Sequence, residues 1–581
     1  MRLYTLGTQT RFLKTTLILN SDQRGMPVEK WDVAFQSFSP PSIVPIQQVL
    51  TTDHMEQMSG YRNLSVSHPG YSLIGLDSNK QVWLDHKWRW HGQSSEAGRG
   101  ECDITLINGK QLRKQKAYCK VTHLLDPVRW MKGRYEFATE AANLARTKGW
   151  TRAQEKLKDP MNQAYVEALS YFSLSRLREL DASPHFPFFY GSMTAVADKY
   201  VFNISEEYDS FRNTRWFWRG VDAKRFAVQA DFETDSDRDF WTRRPSFINE
   251  GGNSTNSEED SDNEASGDES LKADSVPSGA GSIHTADNLS FQSKSEESEA
   301  ESEENEEEDD PHFFAEFNDF PVILMYLEKS EGVMDTLLEN HSLVGAEPDE
   351  PEWEARWSAW LFQVIAGLCA MQHTLSMTHN DLHSNNIVWS ATEKEFLYYA
   401  KRDGTTWKVP TYGKIFQIID FGRAVFKLGD KVVYSDDFRV GNDAATQYNF
   451  GEFAVKKEAI VTPNPSFDLC RLAVSLFEAV FPHKMEAKKG GRVISSEEGI
   501  EMRETDSDLF NTMWTWMVTD SRENVLIDAD GNEKYPSFDL YKVIAEECHM
   551  ARPRDQVEKK PFSEFKVKRA PKDEKVYSLF F

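Results

Sequence analysis

One stretch dictates how the rest of this chain must be divided. Residues 251–310 hold 20 Asp or Glu against 2 Lys, with Ser, Gly and Asn making up much of the remainder. So few apolar side chains cannot offset the entropy lost on ordering, and the composition predicts a disordered insertion with its core over 250–310. The stretch carries −18 of the formal net charge of −26. The overall acidity therefore describes the insertion more than its flanks. Of the 581 residues 39% are hydrophobic, enough to build a sizeable core on either side of it.

Other features exclude whole classes of protein. The five cysteines, Cys102, Cys119, Cys369, Cys470 and Cys548, form no CxxC pair. Neither a zinc knuckle nor a secreted disulfide framework is expected; buried free thiols in a reducing compartment are. The N-terminal residues are interrupted by charges and do not read as a signal peptide. No run of apolar residues is long enough to cross a membrane. No Lys/Arg stripe marks a nucleic-acid binder. A cytoplasmic or nuclear location follows as an expectation.

The flanks read as α+β. Residues 1–75 form an extension with five prolines and short apolar runs. Strand signals appear at 82–90, 103–109 and 116–125. In the last of these, Tyr118, Lys120 and Thr122 share one face, and Cys119, Val121 and His123 the other. A helix over 161–180 follows, with apolar residues spaced by three and four. An interruption over 205–312 contains the acidic core. Residues 320–332 read as a buried strand leaving into a loop. Residues 353–377 and 467–481 read as buried helices, 396–414 as an inserted hairpin, and the Pro- and Lys-rich 551–581 as a surface tail.

Three features line up along this frame. Thr378–Trp389 (THNDLHSNNIVW) follows the long helix and ends in a strand. Lys414–Phe426 (KIFQIIDFGRAVF) is a strand ending at an acid followed by Phe-Gly. Lys120 stands within an earlier strand. Phosphoryl transfer must hold Mg²⁺, neutralise a triphosphate and orient the attacking oxygen. Magnesium takes oxygen ligands, commonly one or two protein groups plus phosphates. Asp420, at the end of an apolar strand on a turn opened by Gly422, can project a carboxylate into a cleft. Asn386, five residues after Asp381, can offer an amide oxygen to a second ion. Asp381 can face an acceptor hydroxyl, and Lys120 can reach phosphates from another strand.

These segments resemble the catalytic loop and the DFG segment of the eukaryotic protein-kinase superfamily. The wording HNDLHSNNIVW with IIDFGRA most resembles a divergent branch found in large DNA viruses and some protists. The likeness covers roughly 110–550 without the acidic insertion. It implies a bilobal fold: an N-lobe over 76–329 with a small antiparallel sheet, interrupted at 205–312, and a mainly helical C-lobe over 330–550. It implies ATP and Mg²⁺ as cofactors and a serine/threonine protein kinase as the function. Virion association follows if the chain is viral. Asp381 then resembles the catalytic base, and Asn386 and Asp420 the metal-binding pair. Lys120 resembles the phosphate-binding lysine, with Lys116 and Lys132 as alternatives. Glu167 resembles its helix partner, with Glu155 and Glu179 as alternatives. Asp468 resembles the acid that braces the catalytic loop; a plain helix cap is the simpler reading. The implied partner is a protein substrate. The acidic stretch would favour a basic one.

The departures matter as well. No GxGxxG precedes Lys120; the nearest text, AGRGE at 97–101, does not match. Asn380 stands where an arginine often precedes the catalytic aspartate. That arginine normally pairs with a phosphorylated segment, so regulation of this kind is not expected. No APE follows Gly422. His383 stands where many protein kinases have lysine, and histidine-asparagine-aspartate wording also occurs in aminoglycoside and choline kinases. His383 reads as an acceptor contact or as a structural hydrogen-bonding residue. The alternatives to a protein kinase are a small-molecule kinase on the same fold and a catalytically degenerate scaffold. Ser257 and Ser298 each have an acid three residues on, a spacing acidophilic kinases favour; a solvated spacer is the plainer reading.

Overall fold

The computed structural model describes residues 43–45, 58, 60–75, 82–84, 87–93, 99–136, 148–230, 241, 243–245, 312–348, 350–428, 431–483, 485–497, 499–527, 533–536 and 538–581. The expectations for 1–42 and for the insertion core 250–310 lie outside the described residues. The chain divides into two units: residues 1–124, 154–196 and 321–581, and residues 125–153 with 197–320.

The main sheet of the first unit takes strands β1 (Tyr61–Ser65), β2 (Arg89–Gln93), β3 (Gly100–Asn108) and β4 (Gln111–His123) from its N-terminal part, apart from a short antiparallel pair, Ile43–Pro45 with Val82–Leu84. β2, β3 and β4 form an antiparallel meander, with Trp90 opposite Leu106 and Gly100 opposite Cys119. Asn108 pairs with Gln111, which leaves a two-residue turn. Gly109 takes its positive φ of 60°, a backbone state that short hairpin turns demand. Helix α1 (Gln163–Glu179) follows, and the Asn162 side chain accepts the Ala164 N–H as its cap. Residues 189–196 of β5 (Phe189–Asn203) and 321–328 of β6 (Phe313–Glu328) complete the sheet in this unit, the remainder of both strands belonging to the second; the strand order is β1-β5-β6-β4-β3-β2. β6 runs antiparallel to β4 with Met325 opposite Lys120. Every residue of β6 from Phe320 to Leu327 is buried. A strand covered on both faces explains the unbroken apolar text there.

The rest of this unit is richer in helix. Helix α2 (Pro351–Leu375) opens with Pro351 and two acids in its first turn, both favourable at a helix start. Trp353, Trp357 and Trp360 follow one another down one face and are fully buried. Their indole N–H groups at the two ends donate to Val480 O and Thr411 O. Strand β7 (Ile387–Ala391) pairs antiparallel with β10 (Lys414–Ile418). Between them stand β8 (Phe396–Ala400) and β9 (Thr406–Pro410), the hairpin expected over 396–414. Then come β11 (Val425–Leu428), β12 (Lys431–Tyr434), α3 (Phe467–Val480), α4 (Asp508–Trp516) and α5 (Asp539–Glu547). Among the described residues no helix is long and apolar enough to cross a membrane.

The expected surface tail is a correction. β13 (Lys566–Val567) pairs with β9 and β14 (Val576–Ser578) runs parallel to β8, so residues near the C-terminus flank the inserted hairpin on both sides. Tyr577, Leu579 and Phe580 are buried. The lysines that precede them in the tail disguised the pattern, because their charged ends stay in water while the apolar residues turn inward.

The second unit holds helices Ser205–Arg212 and Arg215–Asp222 and a strand, Ala227–Ala230, paired antiparallel with the start of β6. The first part of the stretch read as an interruption therefore has regular structure of its own. Aromatic side chains hold it: Tyr208 stacks on Phe313 at 3.7 Å and meets Phe217 edge-on at 5.8 Å.

Candidate active site

β4 and α1 bring together two charges that are 47 residues apart in sequence. Lys120 Nζ lies 2.7 Å from Glu167 Oε1, and both side chains are almost wholly buried. The same ammonium lies 3.1 Å from Asp420 Oδ2. A buried cation between two carboxylates answers the rule that charges leave water only when paired. The alternatives sit elsewhere. Lys116 is exposed beside Glu101. Lys132, in the second unit, is exposed over the Trp216 ring. Glu155 is exposed, and Glu179 pairs with Arg176.

Asp420 is held by the backbone as well as by Lys120. Its φ is +62°, the left-handed region that a non-glycine residue rarely adopts. Its N–H donates to Tyr171 Oη at 2.8 Å. Tyr171 lies one helical turn after Glu167 on α1, so one helix both carries Glu167 and anchors the Asp420 backbone. Phe421 is fully buried, edge-on to Tyr171 at 5.2 Å. The turn was expected to depend on Gly422. Instead, a Cβ there would meet only Asp420 Oδ1, at an ordinary 3.6 Å. The unusual backbone angle belongs to Asp420.

The loop between α2 and β7 is braced from α3. Asp468 accepts the N–H of His379 at 3.1 and 3.0 Å and that of Asn380 at 2.9 Å. These bonds reach across 89 and 88 residues, which a simple cap of the helix's own first turn would not do. Burial raises the Asp468 pKa, while His379 and the two N–H groups pull it back. His379 Nδ1 accepts the Asp381 N–H at 3.2 Å, and Nε2 donates to Ile419 O at 2.7 Å. Asn380, at φ +65°, donates from its amide to Arg423 O at 2.9 Å and accepts from Tyr448 Oη at 2.5 Å. Asn386 donates its amide N–H to Asp381 O at 2.8 Å and to His383 Nε2 at 3.0 Å. His383 thus has a hydrogen-bonding role inside the loop.

The Asp381 carboxylate meets groups that motif spacing did not reveal. Tyr541 Oη, on α5, donates to Asp381 Oδ1 at 2.7 Å and accepts from Arg471 Nε at 3.0 Å. Arg423 Nη1 lies 3.5 Å from Asp381 Oδ2, and its Nε 3.8 Å from Asp437. Burial would raise the Asp381 pKa. Arg423, His383, Arg471 and the Tyr541 hydrogen bond outweigh it and hold the group below its usual value. Asp381 is therefore an ionised acceptor at neutral pH. Arg423 was visible beside the Asp-Phe-Gly text. Tyr171, Arg471 and Tyr541 carried no signal, since each looks like an ordinary helix residue outside any motif.

As for a metal, no group of three or more His, Cys, Asp or Glu among the described residues could hold one by themselves. Asp420 and Asn386 offer hard oxygen donors. That set suits an ion sharing its ligands with phosphates and water. On the β3 side, Gly100 has φ +104° and pairs with Cys119, the neighbour of Lys120. No family model matches the chain, and no curated protein matches it.

Proposed function

We propose that the chain is a bilobal protein kinase that transfers the γ-phosphoryl group of ATP to a serine or threonine hydroxyl of a protein. The observation that carries this reading is the buried Lys120 ammonium between Glu167 and Asp420. Support comes from Asp381, an ionised carboxylate on a loop tied to the Asp420 segment through His379 and Ile419. Lys120 would bind the phosphates. Asp420 and Asn386 would hold Mg²⁺, which supplies neutralisation of phosphate charge when bound. Asp381 would orient the acceptor hydroxyl and take its proton. A water-poor cleft would strengthen each of these contacts. Substrates rich in Lys and Arg would be drawn to the acidic stretch in a salt-sensitive way.

Asp381→Asn and Asp420→Ala separate the roles. Thermal stability, Mg-ATP affinity and phosphate transfer to a protein panel are measured on one preparation of each. Asp381→Asn should keep Mg-ATP affinity and lose roughly 10²–10⁴ in rate, about 3–5 kcal/mol of transition-state stabilisation. Asp420→Ala should weaken Mg-ATP binding and transfer together. Unchanged transfer by folded Asp381→Asn protein overturns the assignment. Transfer to a metabolite alone would identify a small-molecule kinase instead.

A further inference from the structure

The loop after β12 reaches back to the start of α1. Asp436, 2% exposed, accepts the Gln163 N–H on Oδ1 at 2.9 Å and the Lys156 ammonium on Oδ2 at 2.5 Å. Its own N–H donates to Met161 O at 2.8 Å. Three residues on, Arg439 pairs with Asp159. The loop end is fixed in turn: Ser435 Oγ accepts the Asp437 N–H at 3.2 Å, opening a short turn over Asp436–Phe438.

The first N–H groups of a helix lack partners within it and carry partial positive charge. Asn162 takes one of them, at Ala164. Asp436 takes the one at Gln163, with a full negative charge and a second tether to Lys156. Glu167 stands one turn further along α1, on the face above Gln163. Holding the first turn therefore sets where the Glu167 carboxylate meets Lys120. The same loop continues to Asp437, which faces Arg423 and through it Asp381.

We propose that Asp436 is a positioning residue. It clamps α1 through Gln163 and Lys156, and so keeps Glu167 against Lys120 and Tyr171 against Asp420. A permanent carboxylate does this, so the clamp is closed without any added phosphate on the loop. The catalytic consequence rests on the proposed kinase function; the clamp itself does not.

Two variants test it in the full chain. Asp436→Asn is nearly isosteric and removes the charge. Lys156→Met removes the partner at a half-buried position. Hydrogen exchange at the amides of residues 163–167 reads the clamp directly. Exchange there should quicken roughly tenfold in both variants, the factor for 1.4 kcal/mol of local opening. Phosphate transfer should fall roughly 10- to 100-fold, as expected when a reacting group is misplaced. The same substitution added to Glu167→Gln should cost little more, because both act through one contact. A merely structural role would instead give additive losses, and additive losses overturn the positioning role. Unchanged exchange in both variants overturns the clamp. If the unaltered chain transfers no phosphate, the functional reading fails on its own, and the exchange measurements still decide for or against the clamp.

Discussion

His185 shows how one residue ties packing to pH. Both ring nitrogens are committed: Nδ1 to Phe416 O and Nε2 to Tyr399 Oη, each at 2.8 Å. Burial lowers its pKa to about 4, against a smaller upward pull from Phe416 O. The unfolded chain would take up a proton near pH 6.5 that the folded chain refuses until about 4. Stability contributed by the neutral ring is therefore full above pH 6.5 and declines as pH falls toward 4. The loss amounts to about 3 kcal/mol. His68 and His373 are lowered by burial as well and add to the same slope. His185→Gln should flatten the decline, so urea midpoints at pH 7 and pH 5 should lie closer together than in the unaltered chain. An equal gap would refute the assignment. At the same scale, Asp381, Asn386 and Asp420 could be picked out from motif spacing, whereas Lys120 stood beside Lys116 and Lys132 as alternatives. Tyr541 could not, because it reaches Asp381 across 160 residues.

The elements differ in how much of their role periodicity displays. Helix α2 announced itself by length and apolar text, yet its packing against His185 and Ile418 depends on one missing side chain. A Cβ at Gly367 would meet His185 Cβ at 3.0 Å and Ile418 Cδ1 at 3.2 Å. Gly367→Ala should gain about 1 kcal/mol of helix propensity and lose about 1–3 kcal/mol to overpacking. A net loss on urea denaturation is expected, and a stabilised variant would show that the neighbours yield freely. Strand β14 gives the opposite lesson, since its text read as a tail. Removing residues 570–581 should strip Tyr577 and Leu579 from the hairpin β8–β9 and Phe580 from the His373 ring of α2. Each buried side chain of this size is worth about 1.5–3 kcal/mol. The truncated chain should melt several degrees lower by differential scanning calorimetry; an unshifted melting temperature would return these residues to the surface.

For the whole molecule, the division into foldable flanks and an acidic stretch predicts which part is dispensable. Deleting residues 251–310 removes −18 of the formal charge. On the proposed function, phosphate transfer to a short substrate should stay within a few fold, and thermal stability within a few degrees, of the intact chain. A hundredfold loss of turnover at unchanged stability would place the stretch in the site. By itself the sequence determined the α+β class, the long helices and the motif positions, because these follow from local pattern and side-chain chemistry. It also fixed the two-sided burial of β6, since an unbroken apolar run leaves no face for water. Only the tertiary structure decided that Lys120 meets Glu167 rather than Glu155 or Glu179. It likewise decided that Asp436 holds the start of α1, that Tyr541 bonds Asp381, and that the C-terminal residues flank an inserted hairpin. Each of these contacts joins segments far apart in the chain. Its energy depends on burial and on distances of a few ångströms, and neither is written in the spacing of residue types.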